Sequence, residues 1–203
     1  MNWRGRAWPH LSPQNNRRLE NNLTFGYILS MGRTKTVSDA DVFLAIRRLL
    51  AAGGEKAVAF ASVARATGLA GPTLVQRFGN RAAMVQAAHV AAWDALDVAT
   101  AEAVARSELS PKGAQNLLKS LANVKTDLIG LSTLCMDMRD TVLRQRAKAW
   151  RHSVEVTLGL QLGGGADGRK AAAMLFAAWQ GQQLWNGAGG KAFKMKDVIK
   201  ALT

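Results

Sequence analysis

Residues 59–88, AFASVARATGLAGPTLVQRFGNRAAMVQAA, decide how the rest of the chain is read. Gly68, Gly71-Pro72 and Gly79-Asn80 cut the stretch into pieces too short to be stable helices alone. The piece from Thr73 to Phe78 is only about a turn and a half long. A helix-turn-helix has a physical use for such punctuation. Its first helix needs a small residue where the second crosses it, its turn needs a residue tolerant of positive φ, and apolar residues must bracket both. Ala64 is the small residue, Gly68 stands four positions later at the turn, and Val63, Leu69 and Leu74 are the apolar anchors. Phe78 closes the seam against the helix before the pair. A helix that enters the major groove of DNA can be short, provided that turns set it off so that it projects.

Working outward, Ser38-Asp39-Ala40-Asp41 reads as a capping box, followed by an apolar stripe of Val42, Ala45, Ile46, Leu49 and Leu50. Gly53-Gly54 ends that helix. A second, from Phe60 to Thr67, closes at Gly68. In the third, Gly71 is expected as N-cap and Pro72 at the first helical position. Asn80 caps a fourth, longer helix with Met84, Val85, Ala88, Ala92 and Leu96 on its inner side. Beyond about Ser107 the pattern predicts longer helices near 112–133, 137–160, 168–187 and 193–202, separated by Ser110-Pro111 and two glycine-rich breaks. No repeat of fixed period and no strand-like alternation is present, so the predicted fold is all-α.

Composition agrees. The 203 residues are 48% hydrophobic, with one tyrosine and six phenylalanines, too thin an aromatic supply for a β protein. A net charge of +13 points to polyanionic partners, nucleic acid first. The 70 residues from 37 to 106 carry 7 basic and 6 acidic side chains, so placement matters there more than total charge. The acids cluster in the first helix (Asp39, Asp41) and late in the fourth, whereas Arg65, Arg77 and Arg81 flank the third. A single cysteine, Cys135, excludes an internal disulfide and suits a reducing compartment. No segment has the roughly 20 apolar residues of a membrane span, and the N-terminus lacks the pattern of a secretory signal. A cytoplasmic protein with no membrane partner is expected: Lys191, Lys194, Lys196 and Lys200 crowd the last helix, but their faces differ, which favours a solvated surface over membrane-surface binding.

Val63-Ala64, Gly68-Leu69, Thr73-Leu74, Phe78-Gly79 and Asn80-Arg81 together resemble the DNA-binding domain of the tetracycline-repressor (TetR) family. The resemblance covers residues 31–100, and beyond that only helical layout and chain length are similar. It implies an N-terminal three-helix helix-turn-helix domain over 38–100, joined by a long helix to a C-terminal helical ligand-binding and dimerisation domain over 101–203. Residues 1–37 read as a disordered extension and basic arm, with Met31 as an alternative start. On the family pattern Thr73, Gln76 and Arg77 face double-stranded DNA, with Gln76 suited to adenine and Arg77 to guanine, each worth ~1–3 kcal/mol of discrimination. Arg81 is expected at a phosphate, Arg65 and Asn80 beside it, and Arg33 and Lys35 in the arm. Two positions depart from the pattern: Ala70 replaces the usual Ser or Thr cap, and Val75 the usual tyrosine.

For the C-terminal half the resemblance implies a homodimer and a small-molecule effector. Residues 169–187, RKAAAMLFAAWQGQQLWNG, are apolar nearly all round and need a partner surface. Trp93, Leu131, Met136, Met138, Trp150, Phe176 and Trp179 are the candidate pocket residues. The expected function is a sequence-specific transcriptional regulator, a repressor released from a palindromic operator by its ligand. The alternative is a helical small-molecule-binding or adaptor protein with a weakened DNA-binding head. No enzyme, cofactor or metal is expected. His10, His89 and His152 lack metal-ligand spacing, and GAGGKA at 187–192 has Trp185 and Ala192 where a phosphate loop needs Gly and Ser or Thr. GGGADG at 163–168 follows a helix rather than a strand and is a linker.

Overall fold

The computed structural model describes residues 37–124, 140–189 and 193–203. Arg33, Lys35, Leu131, Cys135, Met136 and Met138 lie outside these, as do the expectations for residues 1–36. The described residues form α-helices and short 3-10 turns, with no strand among them. In order they are α1 (Asp39–Gly53), α2 (Phe60–Thr67), α3 (Gly71–Phe78), α4 (Arg81–Ala105), α5 (Pro111–Ala122), α6 (Thr141–Gln161), α7 (Gly165–Trp185) and α8 (Met195–Leu202).

Local chemistry sets the first four. Ser38 Oγ accepts from the Asp41 N–H at 3.2 Å while the Ser38 N–H donates to the Asp41 carboxylate at 3.1 Å, a reciprocal cap for α1. At the start of α2 the Ala59 N–H donates to Ser62 Oγ at 2.9 Å, one half of a capping box, while Ala59 has no side-chain acceptor to offer in return. Gly68 ends α2 in the left-handed region (φ 76°), where a side chain would be strained, and its N–H donates to the Ala64 carbonyl. The third helix starts one residue earlier than expected. Ala70 is its N-cap and makes no side-chain bond, so Gly71 and Pro72 are its first two residues. Proline costs nothing there, because the second N–H of a helix has no partner to lose. Asn80 Oδ1 accepts from the Ala83 N–H at 2.9 Å and caps α4.

Two apolar clusters follow. Val42, Ile46, Val58, Val63 and Leu74 form the first, with Phe43 and Phe78 packed at its edge, ring centres 6.0 Å apart. Helix α4 supplies Met84, Val85 and Ala88 to it, then passes Ala92, Trp93 and Leu96 to the second cluster. That cluster is aromatic at its centre. Trp150 lies 5.9 Å from Trp93 and 5.9 Å from Phe176, and Phe176 lies 5.7 Å from Trp179.

The helices of the C-terminal half begin and end differently from the periodicity. Helix α5 stops at Ala122 instead of 133, and α6 starts at Thr141 instead of 137, where Asp140 accepts from the Val142 and Leu143 N–H groups. A cap of this kind outweighs a continuing apolar pattern, since it satisfies donors the helix cannot. Gly113 in α5 is held by another constraint. A Cβ there would sit 1.9 Å from the Glu108 carbonyl oxygen. Helix propensity alone favours Gly113→Ala by ~0.5–1 kcal/mol. Overpacking against rigid backbone opposes it by about 1–3 kcal/mol or more. Net destabilisation is therefore expected in a thermal melt, and a raised melting temperature would show that the Glu108 backbone yields.

Candidate nucleic-acid interface

Helix α3 has one buried residue, Leu74, which enters the first cluster and fixes the helix on α2. Ala64, Leu69 and Phe78 are half-buried against the same cluster, and Val63 is fully inside it. Anchored this way, α3 turns Val75, Gln76 and Arg77 outward, with Thr73 half-buried beside them. Gly79 (φ 73°) then reverses the chain into α4. Arg65 is exposed near the end of α2. The side chains of Arg65, Thr73 and Gln76 have no hydrogen-bond partner among the described residues, so their polar atoms are available to an outside partner.

The other two arginines of this surface are engaged. Arg77 Nη1 donates to the Val37 carbonyl at 3.1 Å and to Asp39 at 3.3 Å, tying the end of α3 to the start of α1. Arg81 donates from Nε to the Val58 carbonyl at 2.5 Å and from Nη2 to the Glu55 carbonyl, with the Glu55 carboxylate 3.8 Å away. It therefore fastens the turn before α2 to the first turn of α4. Nothing local in sequence announces these contacts, since the partners stand 23 to 40 positions away. Asn80, also exposed, spends its side-chain oxygen on the α4 cap.

A second set of contacts, not anticipated from sequence, links α4 to α6. Gln86 donates to Asp140 at 2.6 Å, Arg146 pairs with Asp97 at 3.1 Å and also with Asp94, and the Trp150 indole N–H donates to Thr100 at 2.9 Å. The numbers rise together along both helices, so α4 and α6 run parallel and are pinned at three levels. The Leu143 N–H, then the Gln86 amide, hold the Asp140 carboxyl below its ordinary pKa. The helix that carries the head is thus tied along its length to the C-terminal core.

The candidate pocket residues Trp93, Trp150, Phe176 and Trp179 are all buried and pack on one another. Their edges reach cavities nonetheless. Trp150 and Phe176 border one of about 230 Å³ with Arg144 and Arg151, and Trp179 borders another of about 390 Å³ between α5, α7 and α8. Among the described residues no group of His, Cys, Asp and Glu is placed to hold a metal, and no helix is long and apolar enough to cross a membrane.

No protein-family model matches the sequence, and no curated protein matches it either. Solved structures do match the fold. One is a transcriptional regulator from Rhodococcus sp. RHA1, with a TM-score of 0.64 at 14% identity over 81% of this chain and 93% of that one. Another is a TetR-like transcriptional regulator from the same Rhodococcus, with a TM-score of 0.61 at 13% identity over 84% of this chain and 96% of that one. At such identities the likeness is one of fold. The chain has the all-α fold of TetR-like transcriptional regulators.

Proposed function

We propose that this chain is a sequence-specific DNA-binding transcriptional regulator. In this reading residues 38–100 form the DNA-reading head and residues 101–203 a helical body that dimerises and binds an effector. In this reading it is a repressor released from a palindromic operator by a small-molecule effector. The carrying observation is the outward face of α3, whose Gln76 and Thr73, with Arg65 of α2, are unpartnered while Leu74 holds the helix in place. Arg77 joins them by exchanging its Asp39 contact, an exposed pair worth under about 1 kcal/mol, for a base edge. Arg81 has a positioning role, presenting the N-terminus of α4 to a phosphate, and Arg33 and Lys35 are assigned to the basic arm.

Dimerisation is supported by exposed apolar side chains on the last long helices. Met174 and Trp185 are 59% and 67% exposed and stand about three turns apart on one face of α7, with Val156 and Leu160 exposed on α6. Two such faces across a two-fold axis bury one another and place two copies of α3 on successive half-sites.

Selection of bound DNA from a random pool tests the reading. A two-fold symmetric site is expected, with affinity falling steeply as salt rises. Gln76→Ala is expected to relax preference at one base pair by ~1–3 kcal/mol. Binding that is independent of sequence would sink the proposal. One observation favours the alternative of a small-molecule-binding protein with a weakened head. Val75 is 46% exposed where the family commonly has tyrosine, and Ala70 caps α3 without a side-chain bond. Ligand affinity with no DNA selected would decide for it.

A further inference from the structure

The cavity of about 390 Å³ between α5, α7 and α8 has a chemistry that the DNA-binding reading does not use. Its size falls within the range of small-molecule sites. Its floor is apolar, from Leu118, Ala122, Trp179 and Met195. Around that floor stand the carboxamides of Gln115, Asn123, Gln183 and Asn186, and the ammonium groups of Lys119 and Lys194. None of the lining residues is acidic, and neither lysine has a carboxylate partner among the described residues. Gln182 donates to the Phe193 carbonyl at 3.1 Å, which ties the end of α7 to the segment entering α8 and holds one wall in place.

Trp179 supplies the largest apolar face of this wall; it is 2% exposed and its ring is held in place by those of Trp150 and Phe176. We infer that the cavity binds a small organic carboxylate with an apolar body. The body lies on the Leu118, Trp179 and Met195 floor. The carboxylate meets the two lysines and the carboxamide donors. Donors without competing acids select an anion, and the apolar floor selects against inorganic ions such as phosphate or sulfate. The site lies on a different face of α7 from Met174 and Trp185, so a ligand there leaves the proposed dimer surface free.

Calorimetric titration of the full chain with phenylacetate and octanoate, each beside its neutral amide, tests this. At least one carboxylate is expected to bind about tenfold or more tightly than its amide. The double variant Lys119→Gln/Lys194→Gln, altered at exposed positions only, is expected to lose that preference. Equal binding of acid and amide, binding of neither, or a preference that survives the double lysine variant overturns the inference. The titration contains no DNA, so its failure leaves the regulatory reading standing. Conversely, carboxylate binding by a chain that selects no DNA leaves the site standing.

Discussion

Phe176→Ala is expected to destabilise the protein by about 3–5 kcal/mol, lowering its melting temperature by roughly 6–20 °C. Phe176 is fully buried and its ring touches those of Trp150 and Trp179, while the Arg151 guanidinium lies over its face at 5.5 Å. Truncation removes the transfer free energy of the ring and leaves a void that the two rigid indoles beside it cannot collapse into. Aromatic pairing adds ~0.5–1.5 kcal/mol beyond burial. Near-UV circular dichroism should report the same event through the loss of Trp150 and Trp179 bands at temperatures where the helices persist. A melting temperature within a degree or two of the parent would mean that Phe176 does not pack as described.

Leu74→Ala is expected to cost about 2–5 kcal/mol, with a readout that Phe176→Ala does not share. Leu74 is the one buried residue of an eight-residue helix, and a helix of that length does not hold its shape without tertiary contact. Losing the anchor frees α3 from α2, so binding to a selected DNA site should be lost even where the C-terminal aromatic core remains folded. Val75→Ala on the same helix is the control. Its side chain is exposed, and a change within about 0.5 kcal/mol is expected. If the two variants melt alike, Leu74 is not what fixes α3.

The contrast between these residues shows where sequence reading reaches. Leu74 was legible as an anchor because Gly68, Pro72, Phe78 and Gly79 bracket it within a dozen positions and leave the helix one inward face. Helices α1 to α4 were legible for the same reason, as their caps are Ser38, Gly68 and Asn80, residues that act on backbone within three or four positions. The start of α3 was misjudged by one residue because Ala70 has no side-chain acceptor to mark it as a cap. Farther along, α5 ends eleven positions before the expected 133 and α6 starts four positions after the expected 137, because apolar spacing does not mark helix ends, such as the one that the Asp140 cap sets.

What no spacing revealed was where long polar side chains end. Arg77 and Arg81 are expected at DNA from the family pattern, and folding alone brings Arg77 Nη1 to the Val37 carbonyl and Asp39, and Arg81 to the Val58 and Glu55 carbonyls. Trp150 and Trp179 presented the same difficulty. A helical wheel places both on a buried side, but only the packing of α4, α6 and α7 decides that one indole N–H meets Thr100 and the other meets nothing. The sequence by itself therefore determined the all-α class, the helix-turn-helix frame and the inward face of α4, because caps, turns and 3.6-residue periodicity act over a few residues. The tertiary structure alone decided which backbone carbonyls Arg77 and Arg81 meet, how α4 is pinned to α6, and where an amide-lined cavity opens between α5, α7 and α8. Those depend on contacts between residues far apart in the chain, whose distances no local pattern encodes.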